Sequence, residues 1–143
     1  MCRVRLLAKT LERCRVENTR VVQVAANGPL PFRPGEFDHV LIDAPCSGLG
    51  TVRRDPDIRW RRSPDDLISF AATQRALLDR AGDLLKSGGT LIYSTCSSEP
   101  EENQDVVSGF LSDHPDFLLD RTHQTLPHRD QLEAFFGAVL KRN

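Results

Sequence analysis

The sequence predicts an α/β fold built around a parallel strand–helix–strand crossover. Two short apolar runs, His39-Val40-Leu41-Ile42 and Thr90-Leu91-Ile92-Tyr93, read as buried strands. A long amphipathic helix lies between them, which makes the two strands parallel. Each run leads straight into a cysteine-bearing stretch: Asp43-Ala44-Pro45-Cys46-Ser47-Gly48 and Ser94-Thr95-Cys96-Ser97. A crossover puts both strand ends on one edge of the sheet, where open α/β folds keep their ligand sites. Neighbouring strands lie about 4.8 Å apart, so if these two are neighbours the two thiols can share one small pocket, with Asp43 beside them. That grouping points to covalent chemistry, although a single cysteine is more often just a small buried residue.

Taken in order, residues 3–15 place Val4, Leu7, Ala8 and Leu11 at helical spacing and predict a surface helix. Residues 20–25 are β-branched and strand-like. Residues 27–35 hold three prolines and two glycines and read as a loop. Residues 37–43 are the first strong strand. Residues 44–63 read as a long, charged, structureless connection, a length usually kept for function. Ser63-Pro64-Asp65-Asp66 starts a helix, with an N-cap serine, proline at the first helical position and acids in the first turn. Its apolar face is Leu67, Ala71, Leu77, Leu78, Ala81 and Leu85, and Lys86-Ser87-Gly88-Gly89 reads as its end. Residues 90–95 are the second strong strand. Ser98 and Glu101 fit a capping box for a helix through Val106, Val107, Phe110 and Leu111. Phe117-Leu118-Leu119 is a strand candidate, and residues 134–140 are an apolar final element, strand or helix undecided by period.

Bulk properties narrow the function class. The 143 residues suit one domain, 1–143, with ordinary apolar content. A net charge of −1 excludes a uniformly basic nucleic-acid protein but leaves room for a local basic patch. Cys2, Cys14, Cys46 and Cys96 form no C-x-x-C pair and have no histidine at zinc-ligand spacing, so no metal site is expected. Reduced thiols and a cytoplasmic location follow from that usage, with no signal-peptide pattern. No run approaches the roughly 20 apolar residues of a membrane span. His39, His114, His123 and His128 have no partner at a telling spacing.

Residues 53–62 (Arg53-Arg54-Asp55-Pro56-Asp57-Ile58-Arg59-Trp60-Arg61-Arg62) carry five arginines against two aspartates. Arginines bind phosphates and stack on bases, and Trp60 offers a stacking face. By composition alone the segment reads equally as a solvated loop with internal Arg–Asp pairs.

Four motifs now stand in one order: Asp43-Ala-Pro-Cys46-Ser-Gly-Leu-Gly50, Arg53-Arg54-Asp55-Pro56-Asp57-Ile58-Arg59-Trp60, Ser94-Thr95-Cys96-Ser97, and Pro100-Glu101-Glu102-Asn103. Together they resemble the Sun/RsmB-type RNA cytosine-5 methyltransferases, over about residues 1–142, and within that family its bacterial 16S ribosomal RNA branch. The resemblance implies a Rossmann-like methyltransferase sheet of strand order 3-2-1-4-5-7-6. Residues 21–25 would be strand 3, 40–43 strand 4, 91–95 strand 5, 117–119 strand 6 and 134–140 the antiparallel strand 7. The first two strands have no counterpart in the chain. Neither do the glycine-rich turn and the acid that hold the cofactor S-adenosylmethionine. An adenine-contacting acid expected near Ala25 or Asn27 is missing.

By that resemblance Cys96 is the nucleophile, Cys46 helps expel the product, and Asp43 sits between cofactor and base. The chemistry is covalent catalysis: cytosine carbon 5 is a poor nucleophile until a thiolate adds to carbon 6. Asp43 could then hydrogen-bond the ring nitrogen that gains a proton. Arg53, Arg54, Arg59 and Trp60 are the expected RNA contacts, with small-subunit ribosomal RNA as partner, because a base must leave its stack to react. The helix starting near Ser98 is expected to lower the Cys96 pKa, against Glu99, Glu101 and Glu102.

The reading is therefore the carboxy-terminal part of a catalytic domain, from a fragmentary frame with an internal Met1. It is expected to bind cofactor weakly and to be inactive alone, with strand edges that favour aggregation or pairing with the missing amino-terminal half. Two rivals stand beside it: a non-catalytic RNA-binding remnant, and a mechanism in which Cys46 attacks.

Overall fold

The computed structural model describes residues 3–25 and 28–143, so Cys2 and Asn27 lie outside the described residues. The chain divides into two compact units, residues 1–31 and 32–143. In the first, helix α1 (Arg3–Arg13) forms as its spacing predicts, with no buried residue. It closes without a glycine: Arg15 takes a positive φ of 54°, and the Val16 N–H reaches back to the Leu11 carbonyl. Residues 21–25 do not form the expected strand. They are exposed and join no ladder. β-branched propensity describes a fit to a pleated neighbour, and without a paired neighbour it forms nothing.

The second unit is a four-stranded mixed sheet. Strands β1 (Phe37–Asp43), β2 (Leu85–Thr95), β3 (Phe117–Thr125) and β4 (Phe135–Arg142) lie in the order β1-β2-β4-β3. β1 and β2 are parallel; β4 runs antiparallel to both β2 and β3. This is the expected 4-5-7-6 half of a methyltransferase sheet, and it settles the final element as a strand. The connection at 44–63 is not structureless: it holds a 3-10 turn at Leu49–Thr51 and a short helix, α2 (Ile58–Arg61).

Helix α3 (Pro64–Gly82) begins with the predicted cap, a reciprocal Ser63–Asp66 box. It ends at Gly82, earlier than Lys86–Gly89, because Leu85 already belongs to β2. Residues 86–89 instead form a bulge in the strand, where the register jumps from Phe37↔Leu85 to His39↔Thr90. Gly88, at φ 77°, supplies the left-handed residue that this bulge needs. Helix α4 (Gln104–Asp113) follows a 3-10 turn at Pro100–Glu102. The Ser98–Glu101 capping box does not form: Ser98 donates to Glu99, and Asn103 is the α4 cap residue. A four-residue helix, α5 (Pro127–Asp130), links β3 to β4.

α3 and α4 cover one sheet face. Leu78, Ala81, Val106, Val107 and Phe110 pack there on Ile42, Leu91, Tyr93, Phe136, Ala138 and Leu140. Alternation puts Ile92, Ser94 and Cys96 on the opposite, half-exposed face. His114 has a structural partner after all: it stacks on Phe110 and bonds Asp79, 3.0 Å away. Asp79 and Asp113 both pair with Arg75, which ties α3 to α4. Among the described residues no helix is long and apolar enough to cross a membrane, and no cluster could hold a metal ion.

Candidate active site

The site grows from the carboxyl ends of β1 and β2. Their parallel register pairs Asp43 with Ser94, and the Ala44 N–H extends the ladder to the Ser94 carbonyl. The chain then turns at Pro45, so Cys46 and Cys96 leave adjoining strand tips together. Their Sγ atoms are 3.2 Å apart and partly buried. The expected meeting of the two thiols is therefore found.

Asp43 ends β1 on the same edge. It is exposed and faces Cys96 closely enough for its charge to oppose the thiolate. The Cys96 thiol is lowered to about 7, chiefly because Cys46 can donate its proton toward it, while burial, Asp43 and Glu102 push the other way. Cys46 is raised in turn, first by that shared hydrogen bond and then by burial. The expected helix N-terminus is not the main source; the neighbouring thiol is.

Beneath the thiols lies a knot that sequence reasoning missed. Glu102 is fully buried. One oxygen, Oε1, accepts from the Ser47 N–H at 2.7 Å and from Gln74 Nε2 at 3.1 Å. The other, Oε2, accepts from the hydroxyls of Ser47 and Ser97, each at 2.5 Å. Gln74 also donates to the Pro45 carbonyl at 2.9 Å, and the Tyr93 hydroxyl to the Glu102 carbonyl at 2.6 Å. Asn103 holds the second turn, donating to the Ser97 carbonyl at 3.0 Å and accepting from Thr95. A signal was present: both cysteines are followed by serine, and both serines are fully buried.

Gly50 fastens the Cys46 turn to the residue just past β2 and the residue just before β4. Its N–H donates to the Cys96 carbonyl and its carbonyl accepts from Ala134, each at 3.0 Å. A Cβ there would sit 2.1 Å from the Ala134 oxygen and 2.7 Å from the Cys96 oxygen, so only glycine fits.

The arginine segment leaves this turn and returns to it. At its far end Arg62 donates to the Ser47 carbonyl at 2.8 Å and lies over the Phe70 ring. Between these anchors Arg53, Arg54, Arg59 and Trp60 are all exposed, Trp60 at 80%. Arg59 lies over the Trp60 ring, 5.6 Å from its centroid. Arg54 pairs with Glu133 at 3.5 Å and Arg61 with Asp57 at 3.2 Å, so part of the solvated-loop reading also holds. A separate cavity of about 820 Å³, lined by Pro34, Gly35, Leu85 and Arg142, opens at the start of β2, away from the thiols.

Known proteins place this geometry in context. The family model "16S rRNA methyltransferase RsmB/F" matches residues 1–141. Ribosomal RNA small subunit methyltransferase B of Sodalis glossinidius is 52% identical over 111 residues, covering 73% of this chain and 26% of that protein. The Vibrio cholerae protein of the same name is 38% identical over 147 residues, covering 98% of this chain and 34% of that protein. The chain thus spans about a quarter to a third of the length of these relatives. Among solved structures, NSun6 from Pyrococcus horikoshii superposes with a TM-score of 0.84 at 29% identity, covering 98% of this chain and 38% of that one. A SAM-dependent methyltransferase from Aquifex aeolicus, at 13% identity and TM-score 0.57, shares the fold, covering 98% of this chain and 63% of that one.

Proposed function

Because the chain belongs to the RsmB/F family of 16S rRNA methyltransferases, we propose that it carries the reacting half of a site that methylates carbon 5 of cytosine in small-subunit ribosomal RNA, in the cytoplasm. The observation that carries this reading is the 3.2 Å approach of two thiols at adjoining parallel strand tips, beside one exposed carboxylate.

Cys96 is the nucleophile. Its thiolate adds to carbon 6 of the cytosine, and the ring's 5,6 electron pair moves so that carbon 5 becomes nucleophilic. As the ring nitrogen takes up a proton from solvent, the Asp43 carboxylate would accept a hydrogen bond from the N–H so formed. S-adenosylmethionine would supply the methyl group, its sulfonium sulfur leaving as the neutral thioether of S-adenosylhomocysteine. Carbon 5 then holds both methyl and hydrogen; deprotonated Cys46 takes that proton, the double bond re-forms, Cys96 leaves as its thiolate, and the ring nitrogen returns its proton to solvent. Cys46 suits this second stage. Before attack its proton is held by the Cys96 thiolate; once Cys96 is a thioether, that acceptor is gone and the chief cause of its raised pKa disappears. At 3.2 Å either thiol can donate to the other, so the choice of Cys96 as the attacking group rests on the family resemblance of its Ser94-Thr95-Cys96-Ser97 motif.

The described residues also bear on the cofactor. Asp43, an exposed carboxylate that makes no hydrogen bond among the described residues, fits the positively charged end of S-adenosylmethionine. It is the only such group at the tip of β1 among them. The isolated chain is therefore expected to bind the cofactor weakly and to turn over poorly. Exposed Arg53, Arg54 and Arg59 supply phosphate contacts, and Trp60 a stacking face.

The deciding experiment is trapping on RNA that contains 5-fluorocytosine, with S-adenosylmethionine raised until calorimetry shows the chain saturated. A covalent protein–RNA band that persists in Cys46→Ala and vanishes in Cys96→Ala supports the reading. A band that depends on Cys46 alone reverses the two roles. RNA binding with no band in any form of the chain favours a binding module.

A further inference from the structure

We propose that Glu102 is the positioning residue of the dithiol: its carboxylate fixes the spacing of Cys46 and Cys96 by holding the residue that follows each of them. The inference rests on the reading that both thiols serve one base, and goes beyond it by naming what keeps them together.

Ser47 and Ser97 are the immediate chain neighbours of the two cysteines. Both donate to the same oxygen of Glu102 at 2.5 Å, and the Ser47 N–H donates to the other at 2.7 Å. Gln74 completes the set from α3. A buried ionised carboxylate is costly unless each lone-pair direction is answered, and here four donors answer it. No described ion pair involves Glu102; neutral dipoles hold it instead. The two serine hydroxyls lie 3.4 Å apart, too far to hold the turns together strongly on their own.

Only an acceptor of this breadth fits. Glutamine at 102 would keep its oxygen toward the Ser47 and Gln74 N–H groups. Its amide nitrogen would then face two hydroxyls that must rotate to accept. A glutamine variant should therefore hold the turns loosely, and alanine should not hold them at all. A residue that merely fills the core would show no such order.

The spacing can be read without methylation. In the full chain carrying Cys2→Ser and Cys14→Ser, the remaining pair is equilibrated with glutathione. One oxidised glutathione is reduced to two thiols as the Cys46–Cys96 bond forms. The equilibrium constant is the effective concentration of one thiol at the other. We expect E102A to lower it about tenfold or more and E102Q by about threefold. Phe117→Leu, a core change at the opposite end of the sheet, should leave it unchanged. Values for E102A within about twofold of the parent overturn the proposal. If E102A fails to fold, the Ser47→Ala, Ser97→Ala double variant takes its place. A fall there of about threefold supports the proposal, and no change overturns it. The two readings also fail separately. Loss of the RNA adduct in every form, with E102A still loosening the pair, removes the methylation reading alone. An adduct that forms while E102A leaves the pair untouched removes the positioning role alone.

Discussion

The turn that carries Cys46 and the segment that follows it, residues 53–61, are neighbours in sequence and opposites in construction. The first is nearly saturated: among the buried polar side-chain atoms of the described residues only Gln74 Oε1 lacks a hydrogen-bond partner. Ser47, Ser97, Glu102, Asn103 and Gln74 are fully buried, and their polar contacts converge. The second is open: Trp60 is 80% exposed, and its arginines lie in solvent or in surface ion pairs worth little. Covalent chemistry needs reacting atoms held within a fraction of an ångström. A flexible polyanion is better met by groups that can adjust. On the proposed reading, these two tasks fall to two stretches only a few residues apart.

Several changes would break or sharpen that contrast. The largest effect should come from Cys96→Ala, expected to lower methyl transfer by roughly a thousandfold or more, as removal of a nucleophile does; single-turnover rates with the cofactor present are the measure. A residual rate near that of the parent would mean the nearly saturated turn is not the reacting centre. Gly50→Ala should be next. Its added methyl meets the Ala134 carbonyl at 2.1 Å, a clash expected to cost about 3 kcal/mol in urea unfolding. Alanine at exposed Arg53 should change stability by less than about 0.5 kcal/mol.

The third effect concerns pH. Alkylation of Cys96 by iodoacetamide should rise through a midpoint at about 7, since only the thiolate reacts. Cys46→Ala removes the donor that favours the thiolate, so the midpoint should climb toward about 8.5. A midpoint that falls would reverse the assignment of donor and acceptor. Smaller again is Trp60→Ala, expected to weaken RNA binding by about 1–3 kcal/mol with the thiol midpoint unmoved. Smallest is Arg53→Ala. It should flatten the salt dependence of log K by about 0.7–0.9, as read by fluorescence anisotropy over a salt series.

The legible parts of this molecule were those written in local pattern. Alternation and β-branching placed β1 to the residue, and Ser63-Pro64 placed the start of α3. The crossover then lets Cys46 and Cys96 meet on condition that the two strands are neighbours, and they are. What stayed hidden depends on distant partners. Residues 21–25 have strand composition, yet composition carries no information about whether a neighbour is present to accept hydrogen bonds. Lys86–Gly89 looked like a helix stop, since a glycine pair ends helices and builds strand bulges equally well. Glu102 does oppose the Cys96 thiolate as its charge suggests, but nothing local says that a glutamate in an acidic run will be buried under four donors drawn from three segments. The four neutral donors that answer its charge are contributed by Ser47, Gln74 and Ser97, which span 50 residues of sequence.

Gly50 and Arg62 also have an evolutionary reading. Each pins one root of the same excursion to the backbone of the cysteine turns, one through the Cys96 carbonyl and the other through the Ser47 carbonyl. What lies between can lengthen, shorten or change its residues without tugging on the sulfur atoms. If this stretch meets RNA as proposed, substrate preference could drift by swapping the cassette, and grafting the corresponding stretch from a related enzyme should transfer its taste in RNA while leaving the thiol titration where it was.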